Sequence, residues 1–184
     1  MALLKIAQMG NPILRRVADK VHDPQAPGVQ GLVADMIETM DDASGVGLAA
    51  PQVHEPLRVI VFRIPEARTS GDEAGGVPLT ALVNPIFEPT DSRQDEDWEG
   101  CLSIPGIVGK VPRYRRIRYW GTTVDGRMLV REASGFHARV VQHEIDHLDG
   151  VLYPERMTDL ATLAFTSEIG RDDAASADDT PSAA

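Results

Sequence analysis

Two histidines four residues apart, with a glutamate directly after the first, form the clearest chemical pattern in this sequence. They are His143, Glu144 and His147, in the segment QHEIDHLDG. On a helix, side chains four residues apart project from one face one turn apart, so both imidazoles can reach the same metal ion. A glutamate at this position is the proton acceptor in one class of metal-dependent hydrolases. We therefore predict a helix over residues 136–148 that carries two metal ligands and a base.

The predicted helix also presents apolar side chains beside the histidines. At about 100° per residue, Phe136 and Val140 fall within the same sector of roughly 60° as His143 and His147. The other side carries three candidate core residues, Val141, Ile145 and Leu148. One face of the helix therefore combines ligands with an apolar surface, while the opposite face packs into the protein.

A catalytic metal site of this type needs a third protein ligand and an open position for water. A histidine that would complete one metallopeptidase pattern is missing, because its position holds Tyr153. Glu168 lies about as far along the chain as the glutamate ligand of a zinc peptidase, although an acidic tail begins soon after it. Cys101 follows Gly100, which allows close backbone approach, and Pro105 is expected to end a short extended segment there. A lone cysteine is most often a small core residue, so Glu168 and Cys101 both remain candidates.

The composition is that of a globular protein. At 184 residues, of which 42% are apolar, the chain can bury one core, and two domains are not expected. The formal net charge of -10 and a pI near 4.9 argue against a partner held mainly through phosphate contacts. Cys101 is the single cysteine, which excludes an intrachain disulfide and favours a reducing, cytoplasmic compartment. No apolar run approaches the ~18 residues of a membrane span.

The other elements follow from periodicity and turn signals. Residues 29–41 have helical spacing, and a short helix is expected after Met157. Three segments are predicted to be β-structure: residues 57–64, residues 79–87 with an interruption at Asn84-Pro85, and a hairpin over residues 115–132 that turns at Asp125-Gly126. Because the strands come in runs before the histidine helix, we predict an α+β fold of mostly antiparallel strands packed around that helix, which is central and near the C-terminus.

The sequence also predicts the extent of the domain and the exposure of several charged residues and histidines. Residues 1–170 are expected to form a single catalytic domain, and residues 171–184 a disordered acidic tail. Several basic residues are predicted to be solvated on a strand, namely Arg113, Arg115, Arg116 and Arg118. The histidines outside the motif are predicted to be surface or loop residues, namely His22, His54 and His137.

Three segments in this order resemble the signature motifs of the peptide deformylases. They are GVGLAAPQ at residues 45–52, EGCLSIPG at 99–106 and QHEIDHLDG at 142–150. The resemblance covers roughly residues 5–158. It implies a metal-dependent hydrolase that removes the formyl group from the N-terminal formylmethionine of newly made polypeptides and releases formate. The first segment also contains part of a dinucleotide fingerprint, but it follows a predicted helix and runs into Pro51, so nucleotide binding is not expected.

The resemblance assigns roles to individual residues. Three residues would hold the metal: Cys101, His143 and His147. Glu144 would act as the general base. The side-chain amide of Gln52 and the backbone N–H of Leu102 would donate to the oxyanion. The substrate backbone would add as a strand along Val46 and Gly47. Together with these two, the substrate-binding residues would be Gly100, Phe136 and Val140, and the methionine side chain would lie against Val46, Phe136 and Val140.

The resemblance also implies one divalent metal ion per chain. Ferrous iron is the metal that this family commonly uses, and zinc, nickel and cobalt are alternatives for a thiolate with two imidazoles. The partners would be N-formylmethionyl nascent peptides and, transiently, the ribosome, without direct contact to nucleic acid or to a membrane. The acidic tail differs from the basic C-terminal helix of some bacterial relatives. The expected location is the cytoplasm, with a mature organellar form as the alternative.

Two other hypotheses compete with a deformylase. The first is a zinc endopeptidase in which Glu168 is the third ligand. The second is a binding module in which the metal is purely structural, which would leave Glu144 and Gln52 without a role.

Overall fold

The computed structural model describes residues 2–69 and 75–169 of the chain. Its two α-helices are α1 (Pro27–Asp42) and α2 (Gly135–Leu148). The strands in chain order are β1 (Gly47–Ala49), β2 (Val59–Ile64), β3 (Val77–Pro89), β4 (Gln94–Cys101), β5 (Ile104–Tyr114), β6 (Arg116–Thr122), β7 (Met128–Ser134) and β8 (Ala164–Phe165). Short 3-10 helices occur at Pro12–Arg15, Ala50–Val53, Glu66–Arg68, Tyr153–Glu155 and Leu160–Thr162.

The strands form two antiparallel sheets. The larger sheet has the order β1-β2-β3-β6-β7, and the smaller has the order β4-β5-β8. Helix α2 packs against strands of both sheets, so it is the central element of the fold. The predicted α+β architecture, with mostly antiparallel strands around the histidine helix, is confirmed.

Helix α2 is buried over nearly its whole length. It begins at Gly135, whose φ of +54° lets the chain turn sharply out of the extended Ser134. Every residue from 137 to 148 is buried. The three predicted core residues lie in one apolar cluster with Phe62 and Tyr119 of the larger sheet, and they are Val141, Ile145 and Leu148. Packing on both sides fixes the position and rotation of the helix, and therefore the direction of its polar side chains.

Helix α1 packs on the opposite face of strand β2 from α2, since Val59 and Val61 lie in its apolar cluster whereas Ile60 and Phe62 lie in that of α2. Its buried apolar side chains recur at helical spacing, as predicted, and pack against strands β1 and β2; they are Val29, Val33, Met36 and Met40. Strand β3 is interrupted where expected, because Asn84 has a φ of +52° and the pairing register with β6 shifts between Val83 and Ile86. The Asn84 side chain stabilises this kink by bonding both the N–H and the carbonyl of Val21.

Three segments differ from the sequence-based expectations. Strand β4 was not predicted, since QDEDWE has few apolar residues, yet it pairs with β5 along its length. Pro105 does not end an extended segment, because it is the second residue of β5. After Met157 the chain forms a 3-10 helix and then β8, which pairs with β5, in place of the predicted helix.

Two polar residues predicted to be exposed are buried. Arg113 is only 6% exposed, because its guanidinium lies among carboxylates, as described below. His137 is 1% exposed, and its Nε2 lies 3.1 Å from the hydroxyl oxygen of Tyr119. His22 and His54 are exposed, as expected.

The tail predicted for residues 171–184 lies outside the described residues. In the described part of the chain, no helix combines the length and the apolar character needed to cross a membrane.

The packing of α1 can be tested with a pair of methionines. Met36 is fully buried against the larger sheet, and removing a buried methionine side chain costs ~2–5 kcal/mol. We expect Met36→Ala to lower the free energy of unfolding by that amount in urea denaturation of the metal-loaded protein. The control is Met128→Ala on β7, where the side chain is 66% exposed and a change below about 0.5 kcal/mol is expected. Equal effects of the two substitutions would contradict the packing described here.

Candidate metal centre

Three donor atoms converge between helix α2 and the end of strand β4. Those of Cys101, His143 and His147 all lie within 4.8 Å of one another, and the Cys101 Sγ is 3.3 Å from the His147 Nε2. Metal bonds to sulfur and nitrogen are about 2.3 and 2.1 Å long, so one ion can reach all three atoms. Burial lowers the pKa of His147 well below its usual value, which favours the neutral imidazole that a metal ion needs. The donor set therefore fits one divalent transition metal.

The Glu99 carboxylate orients the first histidine. Its Oε2 lies 2.9 Å from the Nδ1 of His143. Burial alone would raise the pKa of Glu99, but hydrogen bonds from His143 and Arg113 outweigh burial and hold that pKa well below its usual range. An ionised carboxylate can only accept, so the Nδ1 of His143 carries the hydrogen and its Nε2 remains free for a metal.

A buried ion network surrounds Glu99. Arg113 donates from Nε and Nη2 to the two Glu99 oxygens, at 2.8 and 3.0 Å, and from Nη1 to Asp146 at 2.5 Å. Arg139 donates to the Glu99 Oε1 at 2.9 Å and to the backbone carbonyl of Val111 at 2.6 Å. The network ties strands β4 and β5 to helix α2, so it fixes the separation between the cysteine and the histidines.

Glu144 lies under strand β1. It is 4% exposed, and a Cβ on Gly47 would stand only 2.3 Å from its Oε1, so any side chain at that position would displace Glu144. Burial raises the pKa of Glu144 to about 7. Its Oε2 is buried without a hydrogen-bond partner among the described residues. A buried carboxyl group with one free oxygen beside three metal-binding side chains is placed to exchange a proton with water or substrate.

Gln52 is held with its amide nitrogen toward the cysteine. Its Oε1 accepts from the Ala49 backbone N–H at 2.9 Å, and its Nε2 donates to the Ser103 Oγ at 3.1 Å and to the Cys101 Sγ at 3.5 Å. Leu102 follows Cys101 in the turn between β4 and β5. Ser103 is fully buried, and its hydrogen bond to Gln52 was not predicted from the sequence.

Two cavities meet at this centre. The larger is a cleft of about 480 Å³, lined among others by Gly47, Gln52, Cys101, Leu102 and His143. The smaller has a volume of about 180 Å³, and its lining includes Val46, Gly100, Phe136, Val140 and His143. The linings of the two cavities include all the residues to which the resemblance assigns roles except Glu144 and His147, and Glu144 lies against Gly47.

The alternative third ligand lies elsewhere. Glu168 is exposed, in a turn after β8, and the metal-binding group found among the described residues contains Cys101 in its place. The position that lacked a histidine, Tyr153, forms a wall of the site: its ring stacks on that of His143, with centroids 6.3 Å apart. Its hydroxyl donates to the carbonyl of Ile107 at 3.1 Å. This geometry does not support a peptidase centre built on Glu168.

The residues that support the ligands were not predicted from the sequence. Glu99 was noted only as part of the cysteine segment, Asp146 and Arg139 were not identified, and Arg113 was predicted to be solvated. The sequence nevertheless indicated which charges would be buried at the site, since Glu99 is two residues from Cys101 and Asp146 lies inside the histidine motif. Charges so close to metal ligands in a buried helix need partners.

Comparison with known proteins decides the family. The sequence model of the family described as polypeptide deformylase matches residues 3–162. The chain belongs to the polypeptide deformylase family. Peptide deformylase 1 of Bordetella pertussis is 50% identical over 161 residues, which are 88% of this chain and 91% of that protein. Peptide deformylase 1 of Xanthomonas campestris pv. campestris is 49% identical over 168 residues, which are 91% of this chain and 98% of that protein.

A solved deformylase shares the fold. The Met-Ala-Ser-bound crystal structure of the class I type b peptide deformylase from Acinetobacter baumannii matches with a TM-score of 0.77 at 35% identity, covering 85% of this chain and 99% of that chain. Polypeptide deformylases are metal-dependent hydrolases. This chain accordingly removes the formyl group from the N-terminal formylmethionine of newly made polypeptides and releases formate.

The close contact between Gly47 and Glu144 predicts the effect of adding one methyl group. In Gly47→Ala the new Cβ would displace Glu144, and a shift of about 1 Å at a catalytic group costs about 100-fold in rate. We expect deformylation to fall by that factor in kcat/KM while the metal content stays unchanged. Gly31→Ala on α1 is the matched control, since nothing lies within 4 Å of its Cβ. Wild-type activity in Gly47→Ala would refute the contact.

The buried network makes a second prediction. Glu99→Gln would leave Arg139 without its carboxylate and weaken the orientation of His143. Breaking a buried ion pair costs ~3–5 kcal/mol, and loss of a ligand's hydrogen-bonding partner lowers metal affinity by about 10–100-fold. Urea denaturation and competition with a chelator measure the two effects. Glu96→Gln on the same strand is exposed and should change neither. Wild-type metal affinity in Glu99→Gln would contradict this role.

Proposed function

We propose that deformylation is carried out at the centre between α2 and β4, with Glu144 as the general base. The observation that supports this assignment best is the convergence of Cys101, His143 and His147, with the cleft lined by Cys101 and His143 and the buried carboxyl group of Glu144 next to His143 in the chain. A purely structural metal would leave Glu144 buried at a considerable cost without a function.

The three ligands would hold one divalent metal. Two imidazoles with one thiolate suit iron, zinc, nickel or cobalt. We propose ferrous iron because it is the metal that this family commonly uses. A metal bound there supplies Lewis acidity, which favours ionisation of water near neutral pH and polarises a carbonyl group. The thiolate of Cys101 would also make a ferrous site sensitive to oxidation.

Proton transfer is assigned to Glu144. Water attacks the formyl carbon while the Glu144 carboxylate takes a proton from it, so a C–O bond forms and the carbonyl oxygen becomes an oxyanion. The Nε2 of Gln52 and the backbone N–H of Leu102 donate hydrogen bonds to that oxyanion; one such donor typically lowers the barrier by ~3 kcal/mol. Glu144 then passes the proton to the amine as the C–N bond breaks, which gives formate and a free N-terminus.

Substrate position follows from the two cavities. Strand β1 is at the edge of the larger sheet, so a peptide could add beside Val46 and Gly47 through backbone hydrogen bonds. The methionine side chain would enter the smaller cavity against Phe136 and Val140, next to Gly100. The known Met-Ala-Ser complex of the Acinetobacter relative supports a peptide that begins with methionine as the ligand of this centre.

Nascent N-formylmethionyl peptides are the proposed partners, with transient contact to the ribosome where they emerge. We propose a cytoplasmic location, because such peptides arise there, and one catalytic domain over residues 1–170. The net charge of -10 argues against direct binding to nucleic acid.

Substitutions of Glu144 and Cys101 distinguish the role of the proposed base from that of the proposed metal ligands. Glu144→Ala is expected to retain one metal per chain and to lose hydrolysis of formyl-Met-Ala-Ser by a factor of at least about 100. Cys101→Ala is expected to lose both metal and activity. Anaerobic purification followed by metal analysis and a formate assay measures these outcomes and identifies the metal. Glu132→Ala on the exposed face of β7 is the control. Full activity in Glu144→Ala or Cys101→Ala would refute the assignment.

A further inference from the structure

One charged side chain stands where the two cavities meet. Arg68 ends the 3-10 helix Glu66–Arg68, and its Cζ lies 3.8 Å from the centroid of the Phe136 ring. It lines both the 480 Å³ cleft and the 180 Å³ cavity. Arg68 therefore forms part of the wall between the proposed site of the methionine side chain and the cleft proposed for the rest of the peptide.

The charge of Arg68 is isolated within the cleft. Among the described residues that line the cleft, it is the only aspartate, glutamate, lysine or arginine. No carboxylate within residues 2–69 and 75–169 forms an ion pair with its guanidinium. The chain as a whole carries a net charge of -10, so this cation is opposite in sign to the average surface. An unpaired cation beside a binding cleft attracts an anionic group of the ligand.

Contact with Phe136 restrains the guanidinium without using its hydrogen-bond donors. The Cζ of Arg68 lies over the Phe136 ring at 3.8 Å, and a cation–π contact of this kind does not require the N–H groups. A restrained arginine loses less conformational entropy when it binds a carboxylate than a freely moving one does. The guanidinium of Arg68 is therefore preorganised to donate hydrogen bonds to a carboxylate that approaches along the cleft.

Strand geometry identifies the substrate residue that would meet Arg68. In an extended peptide, successive side chains point to opposite sides, so the first and third residues share a side. The first side chain would enter the cavity that Arg68 covers. The third side chain then faces Arg68, whereas the second points away from it.

We propose that Arg68 selects the third residue of the substrate and favours aspartate or glutamate there over lysine or arginine. This inference rests on the proposed function, because it takes the position of the first residue from it. An exposed ion pair is weak and is screened by salt, so the selection is modest and strongest at low ionic strength.

The test compares formyl-Met-Ala-Asp, formyl-Met-Ala-Ala and formyl-Met-Ala-Lys, all as C-terminal amides, because a free carboxylate would itself pair with Arg68. The ratio of kcat/KM for the Asp peptide to that for the Lys peptide is measured at low salt. We expect Arg68→Gln to lower this ratio about fivefold and Arg68→Lys to retain most of it. Arg127→Gln, in a remote hairpin where the side chain is 81% exposed, should leave the ratio unchanged. Formyl-Met-Asp-Ala amide should respond less to Arg68→Gln than formyl-Met-Ala-Asp amide does.

The outcomes separate this inference from the proposed function. An unchanged ratio in Arg68→Gln, with every peptide still deformylated, would overturn the inference alone. An equal loss for all three peptides would also overturn it, since it would assign Arg68 only a packing role on Phe136. Failure of the metal-loaded wild type on every formylated peptide would refute the proposed function instead. Calorimetric binding of Met-Ala-Asp amide and Met-Ala-Lys amide should show the same ratio change without any chemical step.

Discussion

The carboxylate of Glu99 is the point on which the catalytic geometry depends. It accepts hydrogen bonds from His143 and Arg139 of α2 and from Arg113 of β5, and it lies on β4 two residues before Cys101. One side chain therefore joins the strand that carries the thiol to the helix that carries the imidazoles. Each of these buried charges would be costly alone, and each is satisfied by the others. As a result, the position of the ligands and the packing of the smaller sheet on α2 cannot vary independently.

A second constraint is the absence of a side chain at Gly47. The edge strand β1 lies directly on the carboxyl group of Glu144, which a side chain at Gly47 would displace. This contact places the proposed base and the proposed peptide-binding edge side by side. The buried Gln52 amide is likewise fixed on both of its polar atoms, through Ala49 and Ser103. Such groups require little reorganisation during a reaction, which is the main source of electrostatic stabilisation at an enzyme centre.

The features that sequence predicts well are local. The spacing of His143 and His147 and the apolar face of α2 are properties of a single helix, and they follow from its period alone. The supporting network could not be predicted in this way, because Glu99 and Arg113 meet only through the pairing register of β4 with β5, and Asp146 joins them from α2. Strand β4 itself was missed, since its acidic sequence lacks alternation. Arg113 was predicted to be solvated because the carboxylates that surround it lie on other elements of the fold.

The cleft combines sequence-tolerant and sequence-selective recognition in unequal parts. The proposed backbone pairing along β1 would not depend on substrate side chains, as suits an enzyme whose substrates share only their first residue. Burial of a methionine side chain in the smaller cavity is worth ~1.5–3 kcal/mol, whereas an exposed ion pair with Arg68 is worth ~0.2–1 kcal/mol. On the proposed function, selection of the first residue would therefore dominate, and Arg68 would change only the relative rates among substrates that already begin with methionine. The buried arginines determine structure, whereas Arg68, which has no carboxylate partner among the described residues, is the one that we propose to meet the peptide.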